Sequence, residues 1–537
     1  MKFSFKINWL FLTLVSISFG LSAQDYLLLN NEYLLPFEKA INNPNANFHT
    51  SIKPYDKSEV SKLINVDSVF FSKNIFNSMF LGDSTSEKKG IELTIIPLLT
   101  GAFGYGQDTS NLIFGNVAAG ASLTANFSKK LTLNTFYQSG NAKYPSYVQE
   151  RINTTQIVPG LGYAHPNSFG LNYRNWGGHL SYAPSKLFNF TLGHGKNFFG
   201  NGYRSLLLSD VANNYSYFRI TTTVGKFKYV QLYANFKDIS TNPYSDYYSM
   251  PNKYGGFHYL SWNIAPWLNA SFFEAVIWPG QDDNLRRGFD ISYLNPVSFY
   301  RPIEYSVGSS DNSLMGLNLQ VKISPKHQLY GQLMLDEFLL SQVRTTIVHH
   351  WLGSQTTEWG WWANKQAVQL GYRWFDALFV KNLNWRLEYN FVPPYTYSHT
   401  GGLINYGHEN QPLAHPSGAN LHEIISILNF QKGHWYVELK NMYQVIGKDI
   451  DGVNYGTNIY LDYQTYNQVY GNYAGQGLTS NIFFNQLKVG YVVLPQSNLS
   501  IELGVLNRAE SNANFSYSTN YIFGGITTSL TNLYRDF

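Results

Sequence analysis

The chain has 537 residues, of which 17% are aromatic and only 13% are charged, and its formal net charge is +4. It contains no cysteine, which excludes disulfides, thiolate metal sites and cysteine nucleophiles. The near-neutral charge balance gives no support for nucleic-acid binding. Beyond residue 23 there is no run of eighteen apolar residues, so membrane-spanning helices are excluded.

The first 23 residues have the parts of a secretory signal peptide. Lys2 and Lys6 precede the apolar run 9–19, and small residues follow it up to Ala23. Such a run is too short for a membrane-spanning helix. We expect cleavage after Ala23; the alternatives are an uncleaved anchor and a buried first helix.

Residues 24–90 differ from the rest of the chain because their apolar residues recur with helical spacing. The segments 31–41 and 56–71 are predicted to be short amphipathic helices, with Asp56 as the N-cap of the second. We expect 24–90 to form a small periplasmic helical segment packed under the structure that follows.

Residues 91–537 are predicted to form an all-β transmembrane barrel of about 18 antiparallel strands. Apolar and polar residues alternate over 313–323, 329–335, 384–391 and 435–445, as expected when one face of a strand meets lipid and the other a lumen. Soluble β-sandwiches also alternate. The signal peptide, the number of such segments and tryptophans near the predicted strand ends favour the barrel, since an aromatic girdle marks each membrane interface. These tryptophans are Trp262, Trp267, Trp278, Trp374 and Trp385.

The predicted connections alternate between short and long. Turns such as 127–130 and 323–326 are expected to face the periplasm, and segments such as 139–173, 238–254, 339–363 and 393–419 the outside. The chain ends in an alternating segment with a terminal Phe537. This ending resembles the closing strand of bacterial outer-membrane barrels, in which the last aromatic residue is part of the assembly signal.

Five stretches together resemble a known family. They are 192–210 (LGHGKNFFGNGYRSLLLSD), 293–320, 330–338 (YGQLMLDEF), 395–420 and the terminal Phe537. The chain resembles the Wzi-type capsule-assembly outer-membrane proteins, and most closely their gliding-motility RemB-type branch. The resemblance implies an 18-stranded, occluded barrel with a periplasmic helical bundle, which acts as a lectin that attaches exported polysaccharide to the cell surface. For the RemB-type branch it implies a part in surface gliding.

Two predicted external loops carry residues suited to sugars. Indole rings can stack on sugar faces and offer an N–H donor, although tryptophans of this kind could equally belong to the outer girdle. The first candidate loop contains Trp351, Trp359, Trp361 and Trp362. The second contains Tyr395, Tyr397, His399, Asn405, His408, Gln411 and His415. Its polar and aromatic mixture fits carbohydrate binding and protein docking equally well.

Charged residues expected inside the barrel form the other candidate set. They are Lys196, Arg204, Arg301, Glu304, Asp311, Asp336 and Glu337. The carboxylates could be read as a glycosidase pair, but we favour a charge network that locks the lumen, since structural ion pairs produce similar clusters. The resemblance points the same way, so no catalytic residues, cofactor or enzyme activity are predicted.

Two histidine groups have the elements of a metal site but not its spacing. They are His349-His350 with Glu358, and His408-Glu409 with His415. Neither matches H-E-x-x-H or another ligand pattern, so no metal is predicted.

The glycine-rich stretch 193–202, GHGKNFFGNG, could pass for a phosphate-binding loop. Its glycine spacing matches no phosphate or dinucleotide motif, and no helix is predicted after it to supply N-terminal amides. We therefore expect it to end a strand and to use its glycines for close bends at the barrel rim or in the lumen.

The sequence thus predicts a non-enzymatic protein of the Gram-negative outer membrane that binds or anchors surface polysaccharide and supports gliding motility. Its expected partners are outer-membrane lipid, surface polysaccharide and proteins of the gliding or secretion machinery, with no nucleic acid. Two alternatives stay open at this point: a structural docking partner of the motility or protein-secretion apparatus, and an outer-membrane transporter or porin.

Overall fold

The computed structural model describes residues 25–66, 91–108, 113–128, 130–238, 250–282, 285–295, 311–337, 339–353 and 356–537. The expected signal peptide (1–23), the end of the second expected helix (67–71) and the site residues Arg301 and Glu304 lie outside this part of the chain.

Eighteen antiparallel strands close into one barrel. Numbered in chain order, they are β1 Glu92–Gln107, β2 Ile113–Ser128, β3 Leu131–Lys143, β4 Leu171–Tyr182, β5 Phe188–Gly195, β6 Tyr215–Val224, β7 Phe227–Lys237, β8 Asn252–Ala265, β9 Leu268–Pro279, β10 Asn312–Lys322, β11 His327–Leu335, β12 Gln366–Phe375, β13 Leu383–Val392, β14 Leu421–Lys432, β15 Trp435–Lys448, β16 Leu478–Leu494, β17 Leu499–Ser511 and β18 Ser516–Thr528. The barrel closes where β18 pairs with β1, so the wall has no unpaired edge. The predicted fold class and strand number are confirmed.

In strand β10, the alternation of apolar and polar residues determines which face of the barrel wall is apolar. Leu317 and Leu319 are 44% and 49% exposed on the outer face, whereas Asn318 and Gln320 are almost fully buried on the inner face. Apolar residues outside and polar residues inside are the arrangement that a membrane barrel requires. The predicted faces of this strand are therefore confirmed.

The connections differ between the two ends of the barrel. At one end, here the short-turn end, strands are joined by turns such as 225–226 and 323–326; at the other, the long-loop end, they are joined by segments such as 144–170 and 393–420. The helices of the described residues are α1 Asn31–Ile41, α2 Lys57–Val60, α3 Ser146–Thr155 and α4 Leu340–Leu352. None of these helices has the length and apolarity to cross a membrane.

The N-terminal segment (25–66) lies in the mouth of the short-turn end. Its helix α1 begins after Asn30, whose side chain accepts a hydrogen bond from the Tyr33 backbone N–H, as in an N-cap. Glu38 of α1 is buried and pairs with Arg373 of β12 at 2.9 Å and Arg386 of β13 at 3.2 Å. The helix expected over 31–41 is confirmed. Of the second expected helix, α2 covers Lys57–Val60, residues 61–65 are not helical, and residues 67–71 lie outside the described part of the chain.

A long connection between β5 and β6, here the lumen loop (196–214), folds into the barrel. Phe199 and Leu206 are fully buried, and Phe199 stacks on Tyr259 of β8 at 4.6 Å. Gly202 lies so close to Glu388 that an added Cβ would come within 2.6 Å of its carboxylate. The stretch GHGKNFFGNG therefore ends a strand and enters the lumen with no helix after it, as predicted.

The last nine residues, here the C-terminal tail (529–537), are not part of the wall. Strand β18 ends at Thr528, and the tail then runs through the lumen. Thr531 forms a parallel bridge with Leu29 near the short-turn end, and Phe537 packs against Tyr147 of α3 at the long-loop end, with ring centroids 5.9 Å apart. The prediction that Phe537 ends the closing strand is wrong, because the tail turns inward to polar partners of the lumen.

Most of the tryptophans predicted for the aromatic girdle lie on the outer face of the barrel near the strand ends. Trp262 and Trp267 are exposed near the short-turn end, and Trp374 stacks on Trp385 at 6.2 Å in neighbouring strands. Trp278 differs, because it is fully buried and donates its indole N–H to the Gly288 carbonyl at 3.3 Å. It packs against Phe289 and Tyr293, which cover it.

Candidate functional site

The charged residues predicted for the lumen separate into several groups. Arg204 of the lumen loop is fully buried between two carboxylates, with Nη2 3.0 Å from Glu423 and Nη1 3.0 Å from Asp536 of the tail. Burial opposes its charge, but Asp536 and Glu423 outweigh burial and hold the pKa of Arg204 well above its ordinary value. This group joins the lumen loop, the wall and the C-terminal tail.

Lys196 has no carboxylate within ion-pair distance among the described residues. Its Nζ donates to the Gly160 carbonyl at 3.0 Å and to the Asp210 carbonyl at 3.1 Å. Burial lowers its pKa to about 8, and the charge of Asp210 opposes this decrease. It ties the lumen loop to the long-loop end of the barrel.

The remaining predicted charges form two further pairs. Asp336 and Glu337 each lie 3.8 Å from the buried Lys365. Asp311 accepts two hydrogen bonds from Arg287, at 2.6 and 2.7 Å. The predicted residues that the structure describes therefore do not make one network; Glu423, Asp536, Lys365 and Arg287, which were not predicted, complete the groups.

The segment 393–420, here the inward loop, contains the second candidate loop (393–419), and the prediction that this loop is an exposed surface is wrong. Tyr397 donates its hydroxyl to the Leu206 carbonyl at 2.9 Å, and His415 lies 2.9 Å from Glu423. The predicted ligand-binding residues of this loop are all buried: Tyr395, His399, Asn405, His408, Gln411 and His415. Their polar side chains bind the lumen loop and neighbouring segments, because the loop folds inward over the lumen.

Individual partners of the inward loop illustrate this role. Asn405 accepts from Lys253 Nζ at 2.7 Å, and Gln411 accepts from the Gly160 N–H at 2.9 Å. His408 Nδ1 accepts from the Lys237 N–H at 3.0 Å. Burial lowers the pKa of His399 to about 4, so its imidazole is neutral at ordinary pH.

The tryptophan cluster lies at the long-loop end and remains partly exposed. Trp362 stacks on Tyr466 at 4.6 Å and lies 5.1 Å from Tyr463, while Trp359 stacks on His349 at 4.9 Å. Trp361 lies beside Trp362 at 6.2 Å. Trp351 belongs to the last turn of α4, and its side chain lies outside the described residues. These rings contact loop residues, which separates them from the lipid-facing girdle.

A cleft of about 620 Å³, here the rim cleft, opens at the long-loop end. Its walls come from α3, the inward loop, residues 449–461, the ends of β15 to β18, and Phe537 of the tail. Aromatic rings are spread over these walls: Tyr147, Tyr460, Tyr517 and Phe537. No single segment of the chain signals this cleft, since its residues are far apart in sequence.

Two arginines flank Phe537 in the rim cleft. The Arg151 guanidinium lies 4.0 Å from the Phe537 ring and donates to the Pro416 carbonyl. Burial lowers the pKa of Arg151 to about 10. Arg508 donates from Nε to the Phe537 carbonyl at 2.9 Å and from Nη2 to Glu510 at 2.9 Å. Both guanidiniums are thereby held in fixed positions.

Three residues that line the rim cleft each have a buried polar atom with no hydrogen-bond partner among the described residues. These atoms are Asn410 Oδ1, Tyr460 Oη and Arg508 Nη1. Such groups are costly to bury unpaired, and a native structure rarely leaves them so without a reason. One is an acceptor, one is a donor and one can act as either, so together they suit a ligand with many hydroxyl groups.

Among the described residues, no three His, Cys, Asp or Glu side chains come close enough to hold a metal ion. His415 pairs with Glu423, and His408 lies 3.8 Å from Glu409. Neither histidine group considered in the sequence is assembled into a ligand set by the residues described.

No protein-family model matches the chain. No curated protein matches it either. Among solved structures, it is similar to Wzi of Escherichia coli, described as an outer-membrane protein involved in group 1 capsule assembly and a carbohydrate-binding β-barrel. That match has 12% identity and a TM-score of 0.53 over 93% of this chain and 98% of that one.

Porin-like barrels of Pseudomonas aeruginosa match less well. OprD is 10% identical with a TM-score of 0.42 over 82% of this chain and 97% of that one. OccK1 is 8% identical with a TM-score of 0.44 over 81% and 98%. The barrel fold implies an outer membrane of the Gram-negative kind. The chain is therefore an 18-strand outer-membrane β-barrel whose fold is similar to that of Wzi.

Proposed function

We propose that this protein is a non-enzymatic outer-membrane barrel that binds surface polysaccharide through the rim cleft. The observation that carries the proposal is that three residues lining a cleft with aromatic walls, Asn410, Tyr460 and Arg508, each have a buried polar atom without a hydrogen-bond partner among the described residues. Sugar hydroxyls both donate and accept, so one sugar residue can satisfy donor and acceptor sites together. The carbohydrate binding stated for the similarly folded Wzi supports the same class of ligand.

Aromatic side chains supply the second part of this recognition. Tyr147, Tyr517 and Phe537 line the rim cleft, and rings of this kind offer large apolar faces with polar edges. The partly exposed Trp362, stacked on Tyr466, provides a neighbouring surface for a longer chain. A polymer bound at both places would be held more tightly than at either one.

The barrel's position in the membrane follows from this role. The long-loop end, with the rim cleft, faces the outside, and the N-terminal segment at the short-turn end faces the periplasm. Long loops on the outside and short turns on the inside are usual for outer-membrane barrels. A protein that retains polysaccharide at the surface would support capsule assembly or gliding motility, and which of these it serves stays a prediction.

The test compares binding of polysaccharide extracted from the bacterium's own surface by purified variants. Tyr460→Phe removes one unpaired hydroxyl and is expected to weaken binding by about 2- to 10-fold, because one hydrogen bond contributes ~0.5–1.5 kcal/mol. Tyr372→Phe is the matched control, since its hydroxyl bonds His327 at 2.7 Å near the short-turn end. Equal binding by both variants would remove the rim cleft from the proposal. A loss confined to Trp362→Ala would move the site to the tryptophan cluster.

A further inference from the structure

The C-terminal tail spans the lumen as a single extended strap. Its nine residues can reach about 25–30 Å at 3.3 Å per residue, which matches the ~25 Å apolar band of an outer-membrane barrel. The tail begins after Thr528, the last residue of β18, at the short-turn end. At the long-loop end, the Phe537 carbonyl accepts from Arg508 Nε at 2.9 Å.

The barrel wall closes without the tail. The pairing of β18 with β1 covers Gly101–Ile526 to Gln107–Asn520, and β18 pairs with β17 up to Thr528. Every wall ladder is therefore complete before the tail begins. Loss of the tail would not expose an edge of the sheet, so the barrel can persist with the tail removed.

A cavity of about 260 Å³, lined by both charged and apolar side chains, follows the tail along the lumen. Near the short-turn end it is lined by Glu32, Lys488 and Glu502, and near the long-loop end by Lys143 and Tyr144. The tail residues 529–536 form one wall over this whole distance. Acidic and basic side chains in a cavity favour its being filled with water. The cavity is therefore suited to the passage of hydrophilic solutes.

The tail is held mainly by polar contacts that water can replace. Asp210 accepts from Asn532 and from Tyr534, both at 2.8 Å. Asp536 accepts from Tyr203 at 2.6 Å and from Arg204 at 3.0 Å. Without the tail, Arg204 would keep its pair with Glu423, and water admitted to the lumen would solvate the other groups.

We propose that the C-terminal tail is a built-in closure of a hydrophilic solute path through this barrel. With the tail in place, the path is reduced to the narrow cavity beside it. With the tail absent, the cavity and the volume of the tail join into one polar passage for small hydrophilic solutes. This inference does not rest on polysaccharide binding and is tested without any glycan, although the tail also supplies Phe537 to the rim cleft.

The test uses single-channel recordings of the purified protein in planar lipid bilayers. The full-length barrel is expected to show no steady conductance, and a variant lacking 530–537 is expected to conduct steadily and to let small sugars enter liposomes. If the truncated chain fails to fold, the double variant Asn532→Gly with Asp536→Gly, which keeps the chain length, decides the matter. Arg344→Ala is the control, because Arg344 lies exposed on α4 and does not line the cavity.

Two results would overturn the proposal. Steady conductance in the full-length protein would show that the tail does not close the path. A folded truncated or double variant that stays silent would show that the N-terminal segment and the lumen loop suffice to block it. Polysaccharide binding that survives in a conducting variant would leave the proposed function untouched.

Discussion

Replacement of Arg204 by methionine is the sharpest test of how the lumen is held together. Arg204 donates to Glu423 from Nε at 3.3 Å and from Nη2 at 3.0 Å. It also donates to the Asp536 carboxylate at 3.0 Å and to the Asp536 carbonyl at 2.8 Å. Methionine has a similar stem but no donor, so both carboxylates lose their main cation while the volume is nearly kept.

The expected loss follows from what the two carboxylates retain. Breaking a buried pair by removing one partner costs ~3–5 kcal/mol, because it leaves an uncompensated buried charge. Glu423 keeps His415 at 2.9 Å, and Asp536 keeps Tyr203 at 2.6 Å and Lys440 at 3.5 Å. These remaining partners place the expected decrease in the free energy of unfolding near the lower limit, about 3 kcal/mol.

The assay is guanidinium-induced unfolding of the purified barrel in detergent micelles. Arg344→Met is the control, since Arg344 lies exposed on α4 and its replacement is expected to change the free energy of unfolding by less than about 0.5 kcal/mol. The double variant Arg204→Met with Glu423→Gln should recover part of the loss, because it removes a buried charge together with its partner. A loss for Arg204→Met no larger than that of the control would refute the reasoning.

Two predictions concern the N-terminal segment. Burial and the nearby Arg373 lower the pKa of Lys53 to about 7, while the unfolded chain keeps this lysine protonated up to ~10.4. Between these two pKa values the unfolded state binds more protons than the folded state, so the thermal midpoint of unfolding should rise from pH 7 to pH 9.5. The variant Lys53→Met should show a smaller rise. Equal slopes of the midpoint against pH in the two proteins would contradict this prediction. Glu38→Gln breaks the buried pairs with Arg373 and Arg386 and should speed proteolysis of 25–66. Lys39→Ala is the control, because it removes only an exposed pair worth ~0–1 kcal/mol. Equal rates of proteolysis for the two variants would show that the Glu38 pairs do not hold the N-terminal segment in place.

Much of the wall was predictable from local pattern. Strand β10 was expected over 313–323 and covers Asn312–Lys322, because lipid on one side and a polar lumen on the other impose a period of two on the residues themselves. The same logic gave the faces of β10 and the approximate strand number. It also predicted that GHGKNFFGNG would leave a strand without starting a helix.

The contents of the lumen were not predictable in this way. Phe537 continues an alternating pattern, yet it lies beside Arg151 and Arg508, because buried cations at the long-loop end provide partners that no neighbour in sequence reveals. His415 and Tyr397 belong to a segment whose composition is typical of an exposed loop. They are nevertheless buried against Glu423 and Leu206. Burial of a polar side chain depends on a distant partner, and periodicity carries no information about that partner.

Local sequence thus determines which residues form strands and which face of each strand meets lipid, since both follow from the alternation of neighbouring residues. The tertiary structure alone decides what fills the barrel and where a ligand could bind. Asn410, Tyr460 and Arg508 come from three separate segments and meet at the rim cleft only after the barrel has closed. Closure brings together residues that are distant along the chain, and hydrogen-bond partners across such distances leave no local periodic signal.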